Sequence, residues 1–135
     1  MKVESAALLA SLLAVACSTY QPPALAPAER AVVFPSVHGS EERLSIKSVD
    51  GLPVSTASAF NLHSDNRGVF LAPGQHSLGL RLQVGTTRRD LEVWLPAEAG
   101  KTYRVESVSD PYGFSARVVD AASGNTVGGT VDRQK

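Results

Sequence analysis

Between His76 and Val84 the chain alternates without a break. Leu78, Leu80, Leu82 and Val84 share one parity, while Ser77, Gly79, Arg81 and Gln83 share the other. Successive side chains of an extended chain point to opposite faces, so this segment is a strand with one apolar and one wet face. A lone strand cannot cover its own leucines; it needs a sheet whose apolar side is closed. From Arg30 onward the same kind of run recurs, and no segment carries a 3.6-residue period. Strands are predicted at Arg30–Phe34, Arg43–Val49, Ala57–Leu62, Gly68–Ala72, His76–Val84, Arg89–Leu95, Thr102–Ser109, Phe114–Asp120 and Thr126–Val131, separated by Gly, Pro, Asp and Ser. Short strands with frequent turns argue an all-β sandwich or barrel over 30–135, and since a single sheet would leave one face wet, the expectation is a small antiparallel β-sandwich with two sheets over one core.

Two hairpins are specified residue by residue. Asp110-Pro111-Tyr112-Gly113 has Asp first, Pro second and Gly fourth, the signature of a type I turn. That turn sets Val105 opposite Val118 inside and Glu106 opposite Arg117 outside. The other hairpin joins His76–Val84 to Arg89–Leu95 through Gly85-Thr86-Thr87-Arg88, read as a four-residue loop. This register sets Leu82 opposite Leu91, Leu80 opposite Val93, and Leu78 opposite Leu95. On the outer face it sets Arg81 opposite Glu92, and Trp94 over Gly79 as a surface-facing cover.

The N-terminus has a different character. Lys2 opens it, Glu4 partly cancels that charge, and Ser5 to Ala16 is an uncharged run of 12 residues. At ~1.5 Å per helical residue this is too short to span a bilayer and suits the apolar region of an export signal. Ala14-Val15-Ala16 is a small-x-small cleavage site, and Cys17, the single cysteine, follows it directly. One cysteine excludes an internal disulfide. Ser18 to Glu29 contains Pro22, Pro23 and Pro27, which favour an extended spacer. Twelve such residues would reach ~35 Å.

Leu13-Ala14-Val15-Ala16-Cys17 resembles the lipobox of bacterial lipoproteins, with Ala14 where that motif usually carries Leu. The resemblance implies cleavage after Ala16, acylation of Cys17 (a palmitate-type modification) and a Pro-rich tether over 17–29. Ser18, where Asp would mark inner-membrane retention, implies the outer membrane of a Gram-negative cell. An ordinary signal peptidase would cut the same bond and leave Cys17 unmodified. Two further segments, Ala72-Pro73-Gly74-Gln75-His76-Ser77-Leu78 and Glu98-Ala99-Gly100-Lys101-Thr102-Tyr103-Arg104-Val105, resemble the turn-and-strand starts of PEGA-type and related prealbumin-like bacterial surface domains. Asp50-Gly51 and Asp120-Ala121-Ala122-Ser123-Gly124 resemble their turns. The resemblance implies a small β-sandwich of prealbumin- or immunoglobulin-like type, an attachment or scaffolding module, and no active site.

Catalytic signals are weak. His38, His63 and His76 show no ligand spacing for a metal. His63-Ser64-Asp65 has triad residue types, but neighbours on a strand or tight turn point apart. No nucleophile elbow, phosphate-binding glycine loop or EF-hand is present, and Asp65-Asn66 alone is a poor calcium site. Thirteen basic and 13 acidic residues give zero net charge and a pI near 6.8, which removes the electrostatic basis for nucleic-acid binding. Arg81, Arg88 and Arg89 form a candidate interaction surface, with Asp90 and Glu92 as neutralising neighbours. Trp94, Tyr103 and Tyr112 are candidates either for a groove or for the core.

The expected role is therefore a non-enzymatic, cofactor-free outer-membrane lipoprotein, facing the periplasm and holding an envelope protein partner. A secreted, unanchored inhibitor or adhesin-like subunit is the alternative, with an envelope hydrolase behind it.

Overall fold

The computed structural model describes residues 19–36, 42–55, 60–63, 66–110 and 113–130. After one 3-10 turn at Pro27–Glu29 come ten strands: β1 (Ala31–Ser36), β2 (Glu42–Val49), β3 (Leu52–Pro53), β4 (Phe60–His63), β5 (Asn66–Leu71), β6 (Gly74–Val84), β7 (Thr87–Ala97), β8 (Thr102–Asp110), β9 (Gly113–Asp120) and β10 (Thr126–Thr130). The nine expected strands are all present, with ends within two residues. The exceptions are β4 and β10, whose expected beginning at Ala57 and expected end at Val131 lie outside the described residues. Only β3 is additional.

The chain is all-β, but the sheet arrangement corrects the antiparallel two-sheet expectation. The strands form one curled mixed sheet in the order β3-β2-β6-β7-β10-β9-β8-β1-β5-β4. The reason is β1, which pairs antiparallel with β5 and parallel with β8. It thereby joins two groups of strands that would otherwise end at open edges. Curling brings β2 across the core from β1 and β5. The interior is aliphatic: Val33, Val49, Val69, Leu71, Leu78, Leu80, Leu82, Val93, Leu95, Val105 and Val118 are fully buried around Tyr103.

The β8–β9 hairpin has the expected register, Val105 opposite Val118 and Glu106 opposite Arg117. Glu106, expected outside, is only 6% exposed. Arg104 Nε donates to its Oε2 at 2.8 Å and Arg117 Nε to its Oε1 at 3.0 Å. Two guanidinium groups thus cover the carboxylate and compensate its partial desolvation.

The β6–β7 register differs from the expected one by two residues. Leu80 meets Leu91, Leu78 meets Val93, Arg81 meets Asp90, and Trp94 meets Ser77 rather than Gly79. The turn is the two-residue Gly85-Thr86, with Gly85 at φ 60 in the first position, as a type II′ turn requires of glycine. A shift of two keeps every side chain on its own face. Leu80 is accordingly buried and Trp94 exposed, as expected. The price is that Leu82 faces Arg89 instead of Leu91; the tighter turn instead extends the ladder to Gln83–Arg88 and Val84–Thr87.

The Pro-rich segment is not a free spacer over its whole length. Tyr20 is 7% exposed and belongs to the core. Its backbone N–H donates to Pro53 O at 2.8 Å, and its hydroxyl donates to Phe70 O at 2.5 Å. Pro53 lies on β3 and Phe70 on β5, near opposite ends of the strand order, so Tyr20 spans the seam of the curled sheet. Burial, followed by the nearby Asp50 charge, pushes its phenol up to about 12. Farther along, the Arg30 guanidinium lies 3.7 Å from the Phe70 ring centroid and donates to Leu25 O at 3.4 Å. The segment is a strap fastened at both ends to β5.

Candidate functional site

On the outer face of β2, β6 and β7, the small residues Ser48, Ser77 and Gly79 and the acids Asp90 and Glu92 come together, with Arg81 and Trp94 beside them. A bulge between Ile46 and Ser48 swings Ser48 opposite Gly79. A Cβ at position 79 would collide with the Ser48 hydroxyl, so the glycine permits this close approach. The result is an open depression of about 460 Å³ whose lining includes Ser48, Gly79, Ser77, Asp90 and Glu92. Ser77 Oγ donates to Glu92 Oε2 at 2.5 Å, and Arg81 Nε to Asp90 Oδ1 at 3.3 Å.

Trp94 follows Glu92 on the same face of β7. Its strand neighbours are Ser77 on β6 and Gly129 on β10, neither of which can cover an indole. Trp94 is consequently 42% exposed, one of two large hydrophobic residues in that state among the described residues. The face combines an aromatic surface, two carboxylates and a hydroxyl. It can hold an extended polar chain by stacking and hydrogen bonding.

At the adjoining end of the sheet, Asp50-Gly51 makes a two-residue turn between β2 and β3. Both residues have positive φ, 52 and 84, as a type I′ turn requires. Asp50 then accepts from Ser77 N at 2.8 Å, and its Oδ2 lies 2.7 Å from His76 Nδ1. His76 Nε2 lies 2.7 Å from Ala72 O. Both ring nitrogens are therefore engaged in ties between the β2–β3 turn and the start of β6. This is a structural clamp in which neither nitrogen faces the depression.

The other sequence candidates disperse. Arg81 is paired with Asp90. Arg88, opposite Gln83, shares Arg81's face, whereas Arg89, opposite Leu82, lies on the other face. The three arginines therefore make no single patch. Tyr103 is core, and its hydroxyl accepts from Glu98 N at 2.9 Å. His63 ends β4, while Cys17, His38, Ser64, Asp65 and Tyr112 lie outside the described residues. Among the described residues no group of three His, Cys, Asp or Glu is placed to hold a metal, and no helix is long and apolar enough to cross a membrane.

Two charged sites lie away from the depression, on β8 and at the end of β9. Asp120 is held below the usual carboxylate range first by the Ala122 N–H and then by Lys101, whose Nζ lies 3.2 Å away. Glu106 is likewise lowered, chiefly by Arg104. Sequence reasoning missed Tyr20 altogether. Its only local signal is one large aromatic in a stretch otherwise made of proline, alanine, a single leucine and polar residues. Comparison with known protein families, curated proteins and solved structures gave no match to this chain.

Proposed function

We propose that the protein is a non-enzymatic, lipid-anchored module of the bacterial outer membrane that faces the periplasm and holds an envelope protein. The observation that carries this reading is the placement of the single cysteine, Cys17, directly after Ala14-Val15-Ala16 and an uncharged run of 12 residues. The likeness to PEGA-type surface domains supports an attachment role. Acylation confines the domain to a surface and raises its effective concentration near a partner there. Trp94, exposed beside the depression, is the proposed centre of the partner-binding face, since aromatic residues dominate such contacts.

Two experiments test the reading. Palmitate labelling in cells should mark the wild-type chain and not Cys17→Ser, which should move from the membrane to the soluble fraction. An unmodified Cys17 in wild-type protein would instead favour the secreted form. For the partner face, a photo-crosslinker at position 94 should capture one envelope protein. The same group at position 88 should not. Equal, diffuse crosslinking from both positions would refute the assignment.

A further inference from the structure

We infer that this domain stands with its Tyr20–Leu52 end pressed against the lipid surface rather than swinging on a long tether; the inference rests on the lipid-anchor reading. The argument begins with Tyr20. It is fixed at both its backbone nitrogen and its hydroxyl, to Pro53 O and Phe70 O. Only Ser18 and Thr19 separate it from Cys17. Three residues of extended chain reach ~11 Å at most, against ~45 Å for the thirteen from Cys17 to Arg30. The headgroup layer of one leaflet is itself ~5–8 Å thick. An acyl-bearing Cys17 at the lipid boundary therefore leaves almost no slack, and Tyr20 must lie at the membrane surface.

The residues that come with it suit that place. Leu52 precedes Pro53, the residue bonded to Tyr20, and is 41% exposed. It is the second of the two exposed large hydrophobic residues among those described, and the one beside the strap. Gly51 and Pro53 on either side are also exposed. The neighbouring acid, Asp50, is exposed, and both of its carboxylate oxygens are engaged, by Ser77 N and by His76 Nδ1. The β6–β7 turn at Gly85-Thr86 lies at the far end of the same sheet, about eight strand residues or ~27 Å away. The occupant proposed for the Leu52 end is the bilayer surface itself.

The experiment uses the acylated full-length protein in vesicles of phosphatidylethanolamine and phosphatidylglycerol, with acylation verified by mass. A nitroxide is attached to Leu52→Cys or to Thr86→Cys, and its collisions with oxygen and with a water-soluble nickel complex are measured. The label at position 52 should be shielded from nickel and favoured by oxygen, and the label at 86 should show the reverse. Inserting six Gly/Ser residues between Ser18 and Thr19 lengthens the leash without touching Tyr20. That insertion should return position 52 to water while the protein remains vesicle-bound. Equal nickel access at 52 and 86 in the acylated, bound protein would overturn the orientation and leave the anchor intact. An unmodified Cys17 would overturn the anchor, and the orientation with it.

Discussion

The two ends of the curled sheet are built on opposite principles. At the strapped end, Tyr20, His76 and Asp50 tie separate segments together through polar contacts, half-buried at Tyr20 Oη and His76 Nε2 and exposed between His76 and Asp50. These contacts join β3 to β5 and the β2–β3 turn to β6. At the far end, the Gly85-Thr86 turn carries Thr87, Arg88 and Arg89 into solvent, where Arg89 donates at 3.2 Å to its neighbour's carbonyl, Arg88 O. The leucine core between them is common to both. What differs is how many chain segments each end must hold in place. The strapped end is where the sheet's two margins meet, so its polar groups lose water and must be satisfied from within. The hairpin itself is one continuous turn closed by local geometry, and the non-local tie at that end is Ser107 Oγ donating at 2.7 Å to Glu42 Oε1, beside Val84.

Substitutions should separate the two ends sharply. Tyr20→Ala removes a buried aromatic ring and the hydroxyl that donates to Phe70 O, while the backbone N–H that donates to Pro53 O remains. It should cost about 3–5 kcal/mol in urea unfolding. A cost below ~1 kcal/mol would mean that the strap is ornamental. His76→Ala should cost about 1–3 kcal/mol, because it frees Asp50 and Ala72 O from one clamp. A loss on this scale at position 76 with none at position 20 would place the closure at the turn instead of the strap.

The pH dependence sharpens the same contrast. Tyr20 in the folded protein titrates at about 12, above its ordinary value of 10.0. A raised folded value means that the contribution is complete below pH ~10 and is lost as pH rises through about 12. Tyr20→Phe should therefore flatten the alkaline limb of the stability curve in that window. Tyr103, also raised by burial, should keep some slope in the variant. An unchanged alkaline limb in Tyr20→Phe would count against the buried hydroxyl. At the hairpin end, Arg88→Ser and Arg89→Ser should each move stability by no more than ~0.5 kcal/mol. A larger loss would show that the two arginines themselves tie this end together.

What could be read from residue order follows a physical divide. Local signals were legible: the parity of Leu78, Leu80 and Leu82 set the buried face, and Asp110-Pro111-Tyr112-Gly113 set the β8–β9 partners to the residue. The β6–β7 partners were displaced by two, since both turn lengths keep the same parity and only the conformation of Gly85 distinguishes them. The non-local features were not legible. The parallel pairing of β1 with β8 joins segments about seventy residues apart. Tyr20 sits in a stretch whose prolines suggest extension, and nothing nearby tells that its ring enters the core. For the candidate site, Trp94 was correctly placed on the surface, but the depression beside it depends on a bulge opposite Gly79 that no local pattern announces.

The central claim is that the N-terminal strap is part of the fold, and one backbone proton tests it most directly. The Tyr20 N–H bonds to Pro53 O at 2.8 Å, as the Val32 N–H bonds to Lys101 O at 3.0 Å. In native-state hydrogen exchange on the soluble Cys17→Ser protein, the Tyr20 amide should be protected on the scale of the Val32 amide. Exchange at the rate of an unstructured peptide, with Val32 still protected, would show a free tether and contradict the account.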